Sequence, residues 1–157
     1  MSQQDFAFSG VYAAALTPQS DSGAPDIGLM ASHCRWLLDN GCDGLAILGT
    51  TGEANSFSVD ERIAILDGLA EAGIPGETMI PGTGACALPD AVAVTRAALR
   101  NGAAGVLMLP PFYYKSPSDD GLFAAYSEII QTVGDETLKI CLYHFPQMSG
   151  VPIPYSL

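Results

Sequence analysis

A pattern that repeats about every 30 residues restricts the folds open to this chain more than any other feature. Asn40–Gly44 is followed by the apolar run Leu45–Leu48, and 61 positions later Asn101–Gly105 is followed by Val106–Leu109. A third glycine-containing stop, Ala72–Gly76, lies between them. Glycine ends helices readily because it adopts the left-handed conformation. Each repeat has the length of one strand and one helix, which indicates successive βα units.

The apolar residues predict four helices and five strands in alternation. Helical spacing predicts helices from Ile27 to Asn40, from the capping box Ser58–Glu61 onward, from Pro89 in first position to Asn101, and from Ser118 to Val133. The strands are short, continuous apolar runs, typical of sheets covered on both faces: Tyr12–Leu16, Gly44–Leu48, Thr78–Pro81, Val106–Leu109 and Lys139–Tyr143. This order predicts a parallel sheet, in a doubly wound fold or a (β/α)8 barrel.

Segments rich in Gly, Pro, Thr or Tyr follow all five predicted strands. They are Thr17–Pro18, Gly49–Glu53, Gly82–Gly84, Pro110–Tyr114 and Tyr143–Pro146. Ligands of parallel α/β proteins bind at the carboxyl ends of the strands. All five segments meet at one site only if the sheet closes on itself. The presence of such a segment after every predicted strand therefore favours the (β/α)8 barrel.

The charge balance excludes two classes of partner. The 157 residues include 17 acidic and 6 basic side chains, for a net charge of −11. So few, scattered basic residues cannot form a surface for nucleic acid or for an anionic membrane. No apolar run reaches the roughly 18 residues of a membrane span, and the N-terminus does not resemble a signal peptide. We therefore expect a cytoplasmic protein of one domain.

The segment after the second strand is suited to binding a small acid. Thr50 and Thr51 offer hydroxyl groups, and Gly49 before them leaves the backbone N–H groups unhindered. Together these donors form a candidate cradle for a carboxylate.

Two tyrosines and a histidine at other strand ends are candidates for proton transfer and substrate contact. Tyr113 and Tyr143 follow the fourth and fifth strands, and phenols pass protons when they lie in a hydrogen-bonded chain. His144, beside Tyr143, is a candidate for contact with substrate.

Two sequence features could indicate a cofactor. Gly82–Ala87 fits the G-x-G-x-x-A turn of a dinucleotide-binding fold, but the acid expected after the next strand is absent from Met108–Pro110. The four cysteines form no C-x-x-C pair, and we expect them to be small, buried free thiols: Cys34, Cys42, Cys86 and Cys141. Neither a dinucleotide nor a zinc ion is predicted.

Four strand-end motifs together resemble those of the dihydrodipicolinate synthase / N-acetylneuraminate lyase family. They are Gly49–Glu53 (GTTGE), Gly82–Gly84 (GTG), Pro110–Lys115 (PPFYYK) and Tyr143–Pro146 (YHFP), in that order and spacing. The resemblance extends from about Gly10 to the end of the chain. It implies a (β/α)8 barrel, of which this chain supplies about the first five βα units.

The resemblance also implies a chemistry. Members of the family condense or cleave 2-oxo acids such as pyruvate through a lysine Schiff base, without a metal or organic cofactor, and are usually homotetramers built as dimers of dimers. By motif, Thr50 and Thr51 would bind the pyruvate carboxylate and take part in proton relay. Tyr143 would be the general acid and base, and Tyr113 would join the relay, in many members from across a subunit interface.

Two positions depart from the synthase pattern. The synthase carries an arginine where Met148 stands, and a thioether cannot bind the carboxylate of the second substrate. His144 replaces the usual asparagine. Both changes favour an aldolase or lyase that acts on another aldehyde, although 4-hydroxy-tetrahydrodipicolinate synthase of lysine biosynthesis stays open as an alternative.

The Schiff-base lysine of the family lies at the end of the sixth strand, beyond Leu157. Lys115 falls in a loop, and Lys139 falls at the start of the fifth strand, away from the site. We therefore expect residues 1–157 to be the N-terminal portion of a single barrel domain and to be inactive alone. A non-catalytic protein that binds a small acid, or that pairs with another chain, is the remaining alternative.

Overall fold

The computed structural model describes residues 8–157, which form four short strands and five α-helices. In chain order the elements are β1 (Tyr12–Ala14), α1 (Ile27–Asp39), β2 (Gly44–Ala46), α2 (Val59–Glu71), α3 (Leu88–Arg100), β3 (Val106–Met108), α4 (Asp119–Val133), β4 (Ile140–Leu142) and α5 (Pro146–Ser149). All four predicted helices are confirmed, and α5 is an additional short helix. None of the described helices is both long and apolar enough to cross a membrane.

The helix starts follow from local capping residues. The Ser58 side chain accepts from the Glu61 N–H at 3.2 Å, and the Glu61 carboxylate accepts from the Ser58 N–H at 2.8 Å, which is the predicted capping box. Ser118 caps α4 through its own side chain only, with 3.1 Å between its hydroxyl oxygen and the Gly121 nitrogen. The third helix begins one residue earlier than predicted, so that Pro89 occupies its second position.

Replacing Ser58 with alanine should remove this cap and lower the free energy of unfolding by about 1 kcal/mol. The hydrogen bonds from Ser58 also hold the pKa of the Glu61 carboxyl below its usual value. A carboxyl group whose pKa is lower in the folded state than in the unfolded state stabilises the fold at pH values above its unfolded-state pKa. This stabilisation is lost as the pH falls through the folded-state pKa. An alanine keeps the backbone N–H, which lowers the Glu61 pKa most, and removes only the hydroxyl contribution. Urea unfolding at neutral and acidic pH should therefore show the difference between the two proteins narrowing in acid without vanishing, because the Ser58 oxygen still accepts from the Glu61 N–H; a constant difference would contradict this account.

The strands form one parallel series. β1 pairs with β2, and β3 pairs with β4, both in parallel. The extended segment 79–83 lies between the two pairs and is bridged to β2 at Leu45 and to β3 at Leu107. The spatial order β1, β2, segment 79–83, β3, β4 therefore equals the chain order, as in a barrel.

Segment 79–83 corresponds to the third predicted strand but does not form a regular ladder. The Leu107 N–H donates to the Pro81 carbonyl at 2.9 Å, and the Thr83 N–H donates to the Leu107 carbonyl at 2.9 Å. Pro81 has no N–H to donate toward β3 ahead of these two bonds. The missing donor explains why only an isolated bridge forms with β3.

The two faces of the sheet differ in burial. Residues paired in register share a face, and alternate residues point to opposite faces. One face packs under the helices and is almost fully buried at its centre: Leu45, Ile47, Met79, Val106 and Met108. The other face carries side chains that stay partly exposed: Tyr12, Ala14, Leu16, Ala46, Leu107, Cys141 and Tyr143. A closed barrel turns this second face inward.

The cysteines match the sequence expectation only in part. All four are free thiols. Cys34 is fully buried, and burial raises the pKa of its thiol to about 11. Cys86 is exposed, so the expectation of buried thiols is wrong there. It lies in the loop before α3 rather than on the buried face of the helix.

Candidate active site

A small cleft opens at the carboxyl ends of β2, segment 79–83, β3 and β4. Its enclosed volume is about 20 Å³, room for about one water molecule, and it is open to solvent at its mouth. Its lining is mostly apolar or backbone: Leu48, Gly49, Thr50, Ala54, Asn55, Gly82, Gly84, Leu107, Leu109 and Tyr143. Gly49 and Thr50 thus meet Tyr143, which comes from a distant part of the sequence, at one place.

Backbone constraints at its two ends shape the Gly49–Glu53 loop. Leu48 has a φ of 53°, a left-handed conformation that residues other than glycine rarely adopt. A Cβ atom on Gly52 would lie 2.9 Å from the Leu48 nitrogen and 3.0 Å from the Ala15 oxygen. Only glycine therefore lets the loop pack this closely against the ends of β1 and β2.

Only one of the five backbone N–H groups of the Gly49–Glu53 loop has a protein acceptor within the part of the chain that the structure describes. Among the described residues, no protein acceptor pairs with the N–H of Thr50 or of Thr51, whereas the Glu53 N–H donates to the Thr50 carbonyl at 3.1 Å. Thr50 is half-buried and lines the cleft, while the Thr51 side chain is exposed outside that lining. Free N–H groups beside a hydroxyl are suitable donors for a carboxylate.

Thr17, at the end of the first strand segment, fastens this loop. Its buried hydroxyl donates to the Gly52 carbonyl oxygen at 2.7 Å. Sequence reasoning noted Thr17 as a strand-end residue but gave it no role. The two partners are 35 positions apart, and nothing local in the sequence indicates their contact.

Replacing Thr17 with valine should free the loop, because valine has the same shape but no hydroxyl. We expect a loss of about 1 to 2 kcal/mol in the free energy of unfolding, since the buried Gly52 carbonyl loses its partner. Amide hydrogen exchange should also become faster at Glu53 and Ala54. Thr17→Ser keeps the hydroxyl and is the matched control. Equal exchange rates in the valine and serine variants would contradict a fastening role.

The Gly82–Gly84 wall beside the loop is held from behind by a buried arginine. Arg62 of α2 donates from Nη2 to the Gly82 carbonyl at 2.9 Å and to the Gly84 carbonyl at 3.4 Å. Its side chain is only 4% exposed, and burial lowers the pKa of its guanidinium. The sequence analysis missed it. The available signal was its position on the helix face that also carries Ile65 and Leu66, where a basic residue is unexpected.

Tyr143 reaches the cleft from β4. Its backbone N–H donates to the Met108 carbonyl at 2.9 Å, which extends the pairing of β4 with β3 by one residue. Its ring stacks on Phe145, with 5.7 Å between the ring centroids and 29° between the ring planes. The half-buried phenol is therefore held in the lining across from Thr50.

The structure does not bring His144 or Tyr113 to the cleft. His144 follows Tyr143 and so points to the opposite face, where its Nδ1 accepts from the Ile153 N–H at 3.1 Å. Tyr113 is 72% exposed and packs edge-to-face on Tyr114, with 5.1 Å between ring centroids. Within this chain, neither side chain is placed to contact a molecule in the cleft.

Among residues 8–157, no lysine lines the cleft. The Lys115 ammonium donates to the carbonyls of Phe112 and Ser149. Lys139 precedes β4 and lies at the opposite end of the sheet from the cleft. Residues 8–157 also hold no group of three His, Cys, Asp or Glu side chains placed to bind a metal ion.

Comparison with known proteins gives a consistent set of relatives. Residues 7–156 match the model of the dihydrodipicolinate synthetase family. An uncharacterized DapA-like lyase of Chloroflexus aurantiacus is 40% identical over 145 residues, which are 92% of this chain and 48% of that protein. The chain thus spans about half the length of the curated relatives it matches.

Solved structures show the same relationship. Dihydrodipicolinate synthase from Agrobacterium tumefaciens is 38% identical and superposes with a TM-score of 0.87, over 91% of this chain and 50% of that one. The chloride-inhibited dihydrodipicolinate synthase from Acinetobacter baumannii, solved with pyruvate, is 31% identical with a TM-score of 0.78, over 92% and 48% of the two chains. The fold is that of a (β/α)8 barrel, of which this chain supplies about the first five βα units. The chain belongs to the dihydrodipicolinate synthetase family of aldolases and lyases.

Proposed function

We propose that this chain carries the 2-oxo-acid site of a Schiff-base aldolase or lyase, with pyruvate as the acid. The observation that supports this most is the cleft, where the free N–H and hydroxyl groups of Thr50 lie in the same lining as the phenol of Tyr143. In this proposal Thr50, Thr51 and Gly49 bind the carboxylate. The pyruvate in the related Acinetobacter baumannii structure is consistent with such a ligand.

The proposed reaction begins with a lysine amine that attacks the keto carbon of pyruvate. Tyr143 returns a proton to the departing hydroxyl, water leaves, and the iminium forms. The Tyr143 phenolate then takes a proton from the methyl carbon, which gives the enamine nucleophile and restores the phenol. Carboxylate binding at Thr50 fixes the acid so that its methyl carbon is presented to the second substrate. Lys115 and Lys139 lie away from the cleft, so we propose that the amine comes from a sixth strand beyond residue 157 of a longer barrel domain.

Met148 bears on the second substrate. It lies on α5 and is 61% exposed, where the resemblance places an arginine in the synthase. A thioether offers no charge to a carboxylate, so we propose an aldehyde without the synthase's acidic group. The competing assignment, 4-hydroxy-tetrahydrodipicolinate synthase, is the name of a Synechococcus relative that is 36% identical over 143 residues. An assay of a polypeptide that includes the lysine, with neutral and acidic aldehydes in parallel, decides between them.

The exposed tyrosines suggest a subunit contact. Tyr113 and Tyr114 together present two aromatic rings to solvent, 72% and 84% exposed. We propose that the whole protein is a homotetramer in which Tyr113 enters a neighbouring subunit's relay. Sedimentation of the whole protein should give four subunits, and Tyr113→Asp should shift it toward smaller species.

Borohydride reduction in the presence of pyruvate tests the Schiff-base proposal. The 157-residue chain should keep its mass, because no lysine reaches the cleft. A polypeptide that continues through the sixth strand should gain one reduced pyruvate. An adduct on Lys115 or Lys139, or no adduct on the longer polypeptide, would overturn the proposal. In the latter case a cleft that still binds pyruvate favours a non-catalytic binding protein.

A further inference from the structure

The cleft offers a carboxylate no direct positive charge. Neither lysine nor arginine is among its described lining residues. The chain as a whole carries a net charge of −11, and a protein of that charge repels anions. An anionic ligand therefore needs a local source of positive potential beyond the free N–H groups of Thr50 and Thr51.

Arg62 lies one hydrogen bond behind the cleft wall. Its Nη2 is 2.9 Å from the carbonyl oxygen of Gly82, and Gly82 and Gly84 both line the cleft. The side chain is 4% exposed. A charge in such a position acts through a medium of low dielectric constant and is screened little by salt.

The charge of Arg62 is not cancelled by a contacting acid. Among the described residues the only ion pair joins Arg100 to Asp67, and the Asp90 carboxylate acts on Arg62 only through space. The Nε atom of Arg62 is buried without a hydrogen-bond acceptor. A buried cation with incomplete pairing is costly. If Arg62 only held the backbone, its two hydrogen bonds to glycine carbonyls would offset little of the free-energy cost of burying its charge.

We propose that Arg62 is a positioning residue that acts through the Gly82–Gly84 wall and makes the cleft selective for anionic over neutral 2-oxo compounds. This inference rests on the proposed function, because it assumes that the cleft receives the 2-oxo acid. In this proposal Arg62 makes the cleft prefer a 2-oxo acid over its uncharged amide without contacting either ligand.

The test compares pyruvate with pyruvamide, its uncharged amide, in titrations of the 157-residue chain followed by amide NMR. Arg62→Gln removes the charge and keeps a donor, and Arg62→Lys keeps the charge and loses the planar fork. We expect Arg62→Gln to weaken pyruvate binding about tenfold and to change pyruvamide binding less than about twofold. Arg62→Lys should retain the preference for pyruvate. A purely structural role would weaken both ligands equally.

The outcomes separate the two proposals. If the unmodified chain does not bind pyruvate, the proposed function fails and this inference fails with it. If it binds pyruvate but Arg62→Gln leaves the ratio of the two affinities unchanged, only the inference is wrong. If Arg62→Gln does not fold, the two affinities of the unmodified chain are compared at high ionic strength instead. The chain should still bind pyruvate more tightly than pyruvamide, and loss of this preference would overturn the inference.

Discussion

Replacing Gly82 with alanine is expected to lower the free energy of unfolding by about 3 kcal/mol, at the upper end of overpacking effects. A Cβ atom there would overlap the Leu48 carbonyl oxygen and lie 2.7 Å from its carbon. Both atoms belong to the backbone and cannot rotate away. Segment 79–83 would have to move off β2, which breaks the 2.8 Å hydrogen bond from the Gly82 N–H to the Ile47 carbonyl. Urea unfolding followed by circular dichroism measures the loss.

Gly49→Ala is the matched control on the same cleft. A Cβ atom on Gly49 meets only the Leu107 side chain, at 3.9 Å, which is ordinary contact. We expect a change of less than about 1 kcal/mol. If the two alanine variants lost the same stability, close backbone packing at Gly82 would not be what shapes the cleft.

Replacing Tyr143 with phenylalanine is expected to lower kcat about 10²- to 10⁴-fold in a polypeptide that includes the Schiff-base lysine. Phenylalanine keeps the stacking on Phe145, so the fold and the KM for pyruvate should change little. Exchange of the pyruvate methyl protons for deuterium, followed by proton NMR, reports the step directly and needs no second substrate.

Tyr114→Phe is the corresponding control. Tyr114 is 84% exposed and does not line the cleft, so the exchange rate should stay at the level of the unmodified protein. A Tyr143→Phe variant that exchanges the methyl protons as fast as this control would exclude Tyr143 as the acid and base.

Much of the fold could be predicted because its determinants are local. The capping box at Ser58 and Glu61 lies within four consecutive residues, and it starts α2 where the sequence indicates. The third strand was predicted as regular and is only a bridged segment. The apolar content of the sequence identifies a buried extended segment. The missing N–H of Pro81 removes a ladder hydrogen bond to β3, and this loss can be foreseen only when β3 is known to lie beside that segment.

The site was predictable to the extent that strand ends converge. Gly49, Thr50 and Tyr143 reach one cleft because they follow the carboxyl ends of strands in one parallel series. His144 was grouped with Tyr143 by proximity in sequence, yet the alternation of a strand turns it to the other face. Thr17 and Arg62 act through hydrogen bonds to residues 35 and 20 positions away, and no sequence pattern indicates such contacts.

The central claim is that the cleft between Thr50, Gly82 and Tyr143 binds a 2-oxo acid through its carboxylate. Titration of the ¹⁵N-labelled 157-residue chain with pyruvate tests it most directly. The account predicts saturable shifts of the amide signals of Thr50, Thr51 and Gly82, with little change in the outer groove between α3 and α4 near Arg96 and Glu128. Saturable shifts confined to that groove, or no saturable shifts at all, would contradict it.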